Sequence, residues 1–260
     1  MSTLTLDSHI NINPKAYCDL SEKLFNQFNG TVQTGPLRGA RFENHFEWEQ
    51  YNVCPKLIGC YEFELHDAIR KAIARRPDSI INAGCAEGYY ACGLGRLLPD
   101  AEVHAMDING KCLDQCARNG LLNGVLNMVL VEGKAGSRDL IRGKGHKLYF
   151  VDIEGYELSV LDPVECPDLL SGDIIVECHD FLVVENDQPV DLFITNKLRQ
   201  RFETTHDINV IEPRIPRLSD FPFLRDLSVG QAMMAILDLR PVQTAWLACW
   251  AKQGECKWQT

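Results

Sequence analysis

The stretch that decides the fold begins Ser79-Ile-Ile-Asn-Ala-Gly-Cys-Ala-Glu-Gly-Tyr-Tyr and continues to Asp107. Its first residues are apolar and predict a buried strand that ends at Gly84, and Gly88 opens a helix four residues later. Glycine at both points lets the backbone turn sharply and approach a ligand, because no Cβ is in the way. The next predicted strand ends at Asp107, where dinucleotide-binding folds place an acid that accepts hydrogen bonds from ribose hydroxyls. The stretch therefore predicts an adenosine-type ligand, although a purely structural turn with a solvated Asp107 fits the same residues.

Short apolar strands alternate with helical stretches on the C-terminal side of this motif, which is typical of a parallel sheet wrapped by helices. Strands are predicted over Ser79–Gly84, Glu102–Asp107, Met128–Glu132, Leu148–Asp152, Asp173–Cys178, His206–Ile211 and Ala245–Ala251. Helices are predicted over Gly88–Leu98, Gly110–Asn119, Tyr156–Leu161, Val190–Phe202 and Val229–Leu237. The expected fold class is α/β, a doubly wound, mostly parallel, seven-stranded Rossmann-like sheet with an antiparallel edge.

The N-terminal region lacks this alternation of strands and helices. Residues 1–76 are predicted to be a helical and hairpin extension, and residues 77–260 a ligand-binding domain. The extension is expected to lie on the substrate side of that domain. We expect one helix around Tyr17–Phe28 and a small hairpin at Gly35–Phe42. Apolar residues at helical spacing predict a second helix over Pro55–Arg75, which Pro77 ends.

Composition and charge exclude several classes of protein. The 260 residues carry a formal net charge of −10 with no cationic run, so nucleic acid is a poor partner and attachment to an anionic membrane is not expected. No apolar run reaches the roughly 20 residues of a membrane span, and the N-terminus lacks a signal-peptide pattern. The eleven cysteines contain no Cys-x-x-Cys spacing, which favours reduced, structural thiols and a cytoplasmic location.

Two cofactors compete for the predicted site. A dinucleotide fingerprint has three glycines that seat a pyrophosphate, whereas this chain lacks the third, and Glu87 would repel that group. S-adenosylmethionine has no phosphate, and its sulfonium and ammonium groups tolerate an acidic loop. These features favour the methyl donor, while a nicotinamide-dependent oxidoreductase and a cofactor-binding scaffold without catalysis remain open.

The predicted contacts of this cofactor come from the ends of several strands. Glu132 and Gly133 follow the third strand, where an adenine would lie if the sheet has the usual order, and Tyr61 is a candidate for closing over the methionine end. The full predicted set is Asn82, Gly84, Cys85, Glu87, Gly88, Tyr89, Asp107, Ile108, Glu132, Gly133, Asp152 and Tyr61.

Three segments together resemble a known family: Asn82-Ala-Gly-Cys-Ala-Glu-Gly-Tyr-Tyr-Ala, Asp152-Ile-Glu-Gly-Tyr-Glu and Val176-Glu-Cys-His-Asp. They are similar to the FkbM-like branch of class I S-adenosylmethionine-dependent methyltransferases, and the upstream Lys56-Leu-Ile-Gly-Cys-Tyr-Glu-Phe-Glu-Leu matches the helix preceding the fold in such relatives. The resemblance spans roughly residues 35 to 250. It implies a methyltransferase sheet and methyl transfer to oxygen, typically a hydroxyl of a sugar, glycan or secondary metabolite. Asn82 stands where such relatives often carry an acid, although its amide can still accept a hydrogen bond.

A second group of polar residues is expected to carry the chemistry. Asp152 and Glu154 follow the fourth strand, while Glu177, His179 and Asp180 lie at the end of the fifth, so the two sets should meet at the ligand-binding edge. A hydroxyl is a weak nucleophile, and we predict His179 as its base because an unperturbed histidine pKa of about 6.5 suits neutral pH. Asp152 or Glu154 would orient it or the substrate.

Other readings of the same residues remain open. A divalent cation, Mg²⁺ by its oxygen ligands, could bind Asp152, Asp180 and His179. Alternatively, Asp180 could cap the following segment, and Glu154 could sit in a helix N-terminal turn.

The partner expected from these features is a small-molecule or glycan acceptor, and the chain could form a homo-oligomer. The N-terminal segment, the Glu185–Val190 loop and Pro213–Phe223 are the predicted walls of the acceptor site.

Overall fold

A computed structural model describes residues 13–44, 52–185, 188–189, 192–240, 242 and 244–252. Its centre is a seven-stranded sheet of β1 (Ser79–Ala83), β2 (Glu102–Asp107), β3 (Met128–Glu132), β4 (Lys147–Val151), β5 (Asp173–Cys178), β6 (His206–Ile211) and β7 (Ala245–Ala251). The strand order is β3-β2-β1-β4-β5-β7-β6. The first five strands are parallel, and β7 runs antiparallel to both β5 and β6. The predicted Rossmann-like α/β class, with its antiparallel edge, is confirmed.

Both faces of the sheet are buried, because residues of one strand alternate between two apolar cores. Ile80 of β1 belongs to the core that contains Leu94 of α4 (Tyr89–Leu97) and Leu113 of α5 (Gly110–Leu122). Ile81, the next residue, belongs to the core formed with α6 (Glu157–Val160) and α7 (Phe193–Phe202). This alternation follows from the two-residue period of a strand. The strands, and the helices predicted after residue 79, are found within a few residues of their expected bounds, except that positions 190 and 191 of the predicted Val190–Phe202 helix lie outside the described residues.

The predicted continuous helix over Pro55–Arg75 is wrong. The segment forms α2 (Val53–Ile58) and α3 (His66–Arg75), with a short 3₁₀ turn over Phe63–Leu65 between them. Gly59 ends α2 with φ of 87°, and a Cβ there would lie 2.2 Å from the Thr34 carbonyl oxygen. Helical periodicity continues through the break because apolar residues on both sides face the core. The break itself places Tyr61 and Glu62 at the ligand-binding edge of the sheet.

The N-terminal extension begins with α1 (Pro14–Phe28), which Asn13 caps by accepting hydrogen bonds from the backbone N–H groups of Lys15 and Ala16. The hairpin expected at Gly35–Phe42 reduces to one antiparallel bridge between Thr31 and Arg41 around a turn. Helices α1 and α2 share a third apolar core with α8 (Val229–Ile236). Across the described residues, no helix is long and apolar enough to cross a bilayer.

Candidate functional site

A cavity with a volume of about 730 Å³ opens at the carboxyl ends of the parallel strands. It lies over the junction of β1 and β4, where the strand order reverses, which is where open α/β sheets bind ligands. Backbone contact is tight at this junction: Asp152 donates its N–H to the Ala83 carbonyl, and a Cβ on Gly84 would lie 1.6 Å from the Asp152 carbonyl oxygen. Only glycine fits at position 84.

The loop after β1 holds the acid predicted to bind ribose. Gly84 and Gly88 have φ of 76° and 87°, and Ala86 between them has φ of 45°. This geometry aims the Ala86 N–H at one carboxylate oxygen of Asp107, at 2.9 Å. The Asn109 N–H approaches the other oxygen at 2.8 Å. Asp107 is therefore fixed beside the loop, and a carboxylate retains further lone pairs for hydroxyl donors.

Glu87 lies in the same loop, and the structure changes how its charge is understood. Its carboxylate is completely buried and forms an ion pair with Lys56 of α2, with 2.6 Å between Oε1 and Nζ. The acidic loop expected to repel a pyrophosphate is thus neutralised by a lysine that carried no predicted role. Both side chains line the cavity, as do Tyr61 and Tyr89.

His179 occupies the other half of the cavity, surrounded by carboxylates. Its Nδ1 lies 2.6 Å from Oε1 of Glu157, which is fully buried. Its Nε2 lies 3.3 Å from Glu154 and 3.6 Å from Asp152. Burial lowers the pKa of His179, but the hydrogen bond with Glu157 and the charges of Asp152, Glu157 and Glu154 outweigh it, so the pKa is raised above its ordinary value.

A buried network built around Arg240 closes the cavity beside His179. The guanidinium contacts the carboxylates of Glu62 and Glu177, and it donates to the Tyr61 hydroxyl at 3.1 Å. Thr244 also donates to Glu177. Burial and then the charge of Asp152 raise the pKa of Glu177 above its ordinary value, whereas the hydrogen bond from Thr244 lowers it.

Most of the predicted contact residues line this one cavity. They are Tyr61, Gly84, Cys85, Glu87, Tyr89, Asp107, Ile108, Gly133, Asp152, Glu154 and His179. Ile108 is 74% exposed, as suits a side chain placed for ligand contact and not for the core. Gly88 does not line the cavity, because it faces the Cys92 and Cys116 sulfurs as the N-cap of α4.

Three further predicted residues lie outside the cavity lining. Asn82 is buried and donates its amide to the Phe150 carbonyl within the sheet, so it does not reach the cavity. Glu132 lies beside Gly110 at the start of α5, outside the lining. Asp180 is a correction to the predicted metal set: it accepts hydrogen bonds from the Ile194 and Thr195 N–H groups and therefore holds the N-terminus of α7.

The side chains near His179 could hold a cation without Asp180. Among the described residues, ligand atoms of Asp152, Glu154 and His179 lie within 4.8 Å of one another. Glu62, Asp152 and Glu177 form a second such group, but the Arg240 guanidinium already lies against Glu62 and Glu177. The first group therefore offers two carboxylates and one imidazole, a donor set that suits Mg²⁺ only moderately, since Mg²⁺ prefers oxygen.

Three charged side chains with charged partners at the site had no predicted role: Lys56, Glu157 and Arg240. A signal existed for the first two, because Lys56 begins the upstream segment used for the family resemblance and Glu157 ends the Asp152–Glu157 motif. No local pattern marks Arg240: Asp238 lies 3.2 Å from its guanidinium, but its partners Glu62 and Glu177 are distant in sequence.

No family model matches the chain, and no curated protein matches it in sequence. Similar solved structures include precorrin-6y C5,15-methyltransferase from Geobacter metallireducens, at 14% identity and a TM-score of 0.47, covering 71% of this chain and 88% of that one. A putative O-methyltransferase from Klebsiella pneumoniae has 15% identity and a TM-score of 0.45, covering 94% and 93%. The O-methyltransferase TomG from Streptomyces achromogenes, in complex with SAM, has 12% identity and a TM-score of 0.46, covering 94% and 93%. At these values the likenesses do not establish what this chain binds or catalyses, and the FkbM-like resemblance stays a prediction.

Proposed function

We propose that the chain is an S-adenosylmethionine-dependent methyltransferase that methylates a hydroxyl of a sugar, glycan or secondary metabolite. The observation that carries the proposal is the continuity of one cavity. It joins the Gly84–Gly88 loop with Asp107 at one end to the buried His179–Glu157 pair at the other. A nicotinamide oxidoreductase is less well supported, because the loop after β1 lacks the third glycine of the dinucleotide fingerprint.

The loop end of the cavity suits the methyl donor. A volume of about 730 Å³ lies within the range of ligand pockets. Asp107 would accept hydrogen bonds from the ribose hydroxyls, and exposed Ile108 together with Gly133 would contact the adenine. When bound, the donor supplies an electrophilic methyl group on a positively charged sulfur. The acidic surroundings of the cavity favour that positive charge.

The other end suits an acceptor hydroxyl. Glu157 can accept the Nδ1 proton of neutral His179, which leaves Nε2 to take the proton from the acceptor as its oxygen attacks. The tautomer with hydrogen on Nδ1 is the one that this carboxylate stabilises. Asp152 and Glu154, near Nε2, can accept hydrogen bonds from the acceptor and hold its oxygen in line.

A cation-assisted version of the same reaction uses the same side chains. Asp152, Glu154 and His179 would then bind a divalent ion, and their role would be to position the acceptor oxygen beside that charge. The two versions differ in their response to chelators, so one set of assays separates them.

The test is transfer of a tritiated methyl group from S-adenosylmethionine to a panel of sugars, glycosides and phenols. We expect incorporation by the wild-type chain and a fall in kcat of about a hundredfold or more in His179→Ala. The matched control is His104→Ala, since His104 is buried but outside the cavity. Unchanged turnover in His179→Ala would show that His179 is not the base. Activity that survives exhaustive chelation supports the base without a metal, whereas loss restored by Mg²⁺ supports the cation.

A further inference from the structure

Two large apolar side chains line the cavity without a part in the chemistry above. Phe181 is 37% exposed and Val242 is 40% exposed, although both belong to the cavity wall. A third such residue, Tyr156, already has the Lys134 ammonium group over its ring, 3.5 Å from the ring centre. Exposed apolar residues scattered singly over a surface are ordinary, whereas those in the wall of a ligand cavity are typical ligand contacts.

Phe181 lies beside the group expected to take the proton of the acceptor. Its ring centre is 5.9 Å from that of His179. Phe181 belongs to a 3₁₀ turn over Asp180–Leu182, whose first residue is fixed by hydrogen bonds from the Ile194 and Thr195 N–H groups. An acceptor whose oxygen reaches Nε2 of His179 therefore has its neighbouring atoms close to the Phe181 ring.

The apolar surface continues along the chain beyond Phe181. Leu182 and Val184 are 48% and 57% exposed, and neither lines the cavity. Leu182 also lies against the turn after β4, because a Cβ on Gly155 would be 2.9 Å from its Cδ1. Grouped apolar side chains beside a cavity mark a place that binds the apolar surface of a ligand. A ligand that extends out of the cavity past Phe181 would cover both residues.

The charges beside His179 restrict the polar part of such a ligand. Asp152 and Glu154 lie 3.6 Å and 3.3 Å from Nε2. Carboxylates accept hydrogen bonds from hydroxyl groups and repel a phosphate or a carboxylate. The polar part that enters the cavity is therefore neutral and rich in hydroxyls.

We propose that Phe181 and Val242 form a binding subsite for an apolar part of the acceptor, which Leu182 and Val184 extend beyond the cavity. The acceptor is then a neutral glycoside with an aryl or alkyl aglycone. Its sugar hydroxyl reaches His179, and its aglycone lies on Phe181. The inference rests on the proposed function and narrows its substrate class.

The test compares phenyl and methyl glycosides of one sugar, which differ only in the aglycone. Paired glucosides, galactosides and mannosides are titrated calorimetrically into the chain saturated with S-adenosylhomocysteine, and the tritium assay gives KM for each. We expect the phenyl member to bind roughly tenfold or more tightly than the methyl member. Phe181→Ala should abolish this preference and change the affinity of the methyl member by less than about twofold. Phe181→Leu, which retains an apolar side chain, should keep most of the preference.

Two control variants match these changes. Leu126→Ala should leave the preference unchanged, because Leu126 is 81% exposed and lies outside the cavity lining. Val242→Ser should reduce the preference, whereas Val229→Ser should not, since Val229 is 75% exposed in α8 and also outside the lining.

Several outcomes would overturn the inference. They are absence of glycoside binding, equal affinity of the wild type for phenyl and methyl glycosides, and a preference that survives Phe181→Ala. Dissociation of a wild-type oligomer in Phe181→Ala, with the preference intact, would assign the apolar surface to a second copy of the chain. Selective binding of phenyl glycosides without methyl transfer to any acceptor is a different result, because it would defeat the proposed function and leave the subsite in place.

Discussion

At the scale of single residues, the distinguishing feature is the partner of His179. The residue itself is predictable from sequence, since it follows a strand whose carboxyl end faces the ligand edge. The pairing of His179 with Glu157 is not predictable, because Glu157 lies 22 positions away and the turn at Glu154 and Gly155 comes just before it. Both of these turn residues have positive φ, at 53° and 94°, and a pattern of residue types does not report the direction in which such a turn aims the next side chain.

Glu157→Gln tests this pairing through pH dependence. Neutral His179 is the active base, so wild-type activity should fall as pH drops through a pKa that lies above 6.5. Glu157 raises that pKa, and its removal should move the acidic limb of the kcat profile to lower pH while the plateau falls by about tenfold or more. The measurement is kcat from pH 5 to 9 for both proteins, and an acidic limb at the same pH in the variant would contradict the pairing.

At the scale of elements, the loop between β1 and α4 is what the sequence predicts best. Two glycines, a preceding apolar strand and an acid at the next strand end are local features, and they determine a local structure. The break at Gly59 was missed because its cause is not local: the Thr34 carbonyl, 25 residues away, occupies the space of a Cβ. The role of Arg240 was not predicted for the same reason, because its partners Glu62 and Glu177 come from separate elements.

Gly84→Ala tests the junction of β1 and β4. A methyl group there would meet the Asp152 carbonyl oxygen at 1.6 Å with φ of 76°, so the strands must separate. We expect a loss of roughly 3 kcal/mol or more in the free energy of unfolding, together with loss of S-adenosylhomocysteine binding. Gly230→Ala is the control, because its Cβ would meet nothing within 4 Å in helix α8, and it should be neutral or slightly stabilising. Urea titration measures both, and equal stability of Gly84→Ala and wild type would refute the tight junction.

At the scale of the whole molecule, the predicted division at residues 76 and 77 does not coincide with a division of the apolar core. Leu37 and Phe42 of the extension share a core with Ile80 and Val103 of the sheet. Helix α1 shares another with α8, which lies more than 200 positions later. Composition predicts that the extension is a distinct segment. It does not report which distant segments of the chain pack against the extension.

Leu24→Ala tests this continuity. Leu24 of α1 is buried in the core shared with α8, so its truncation should cost about 2–5 kcal/mol. Because Phe28 packs against both this core and the one that contains Ile80, calorimetry should show one unfolding transition at a lower Tm and not the loss of a separate one. Phe28 and Met234 are partly buried residues that pack against that core and do not belong to it. Two resolved transitions, with the later one unchanged by Leu24→Ala, would show instead that the extension folds as an independent unit.

Calorimetric titration tests most directly whether this cavity binds an S-adenosylmethionine-type ligand at Asp107. We predict saturable, one-to-one binding of S-adenosylhomocysteine, no measurable binding of NAD⁺ under the same conditions, and roughly tenfold or greater weakening of the former in Asp107→Ala. Tighter binding of NAD⁺ than of S-adenosylhomocysteine, or an Asp107→Ala variant that binds S-adenosylhomocysteine as the wild type does, would contradict it.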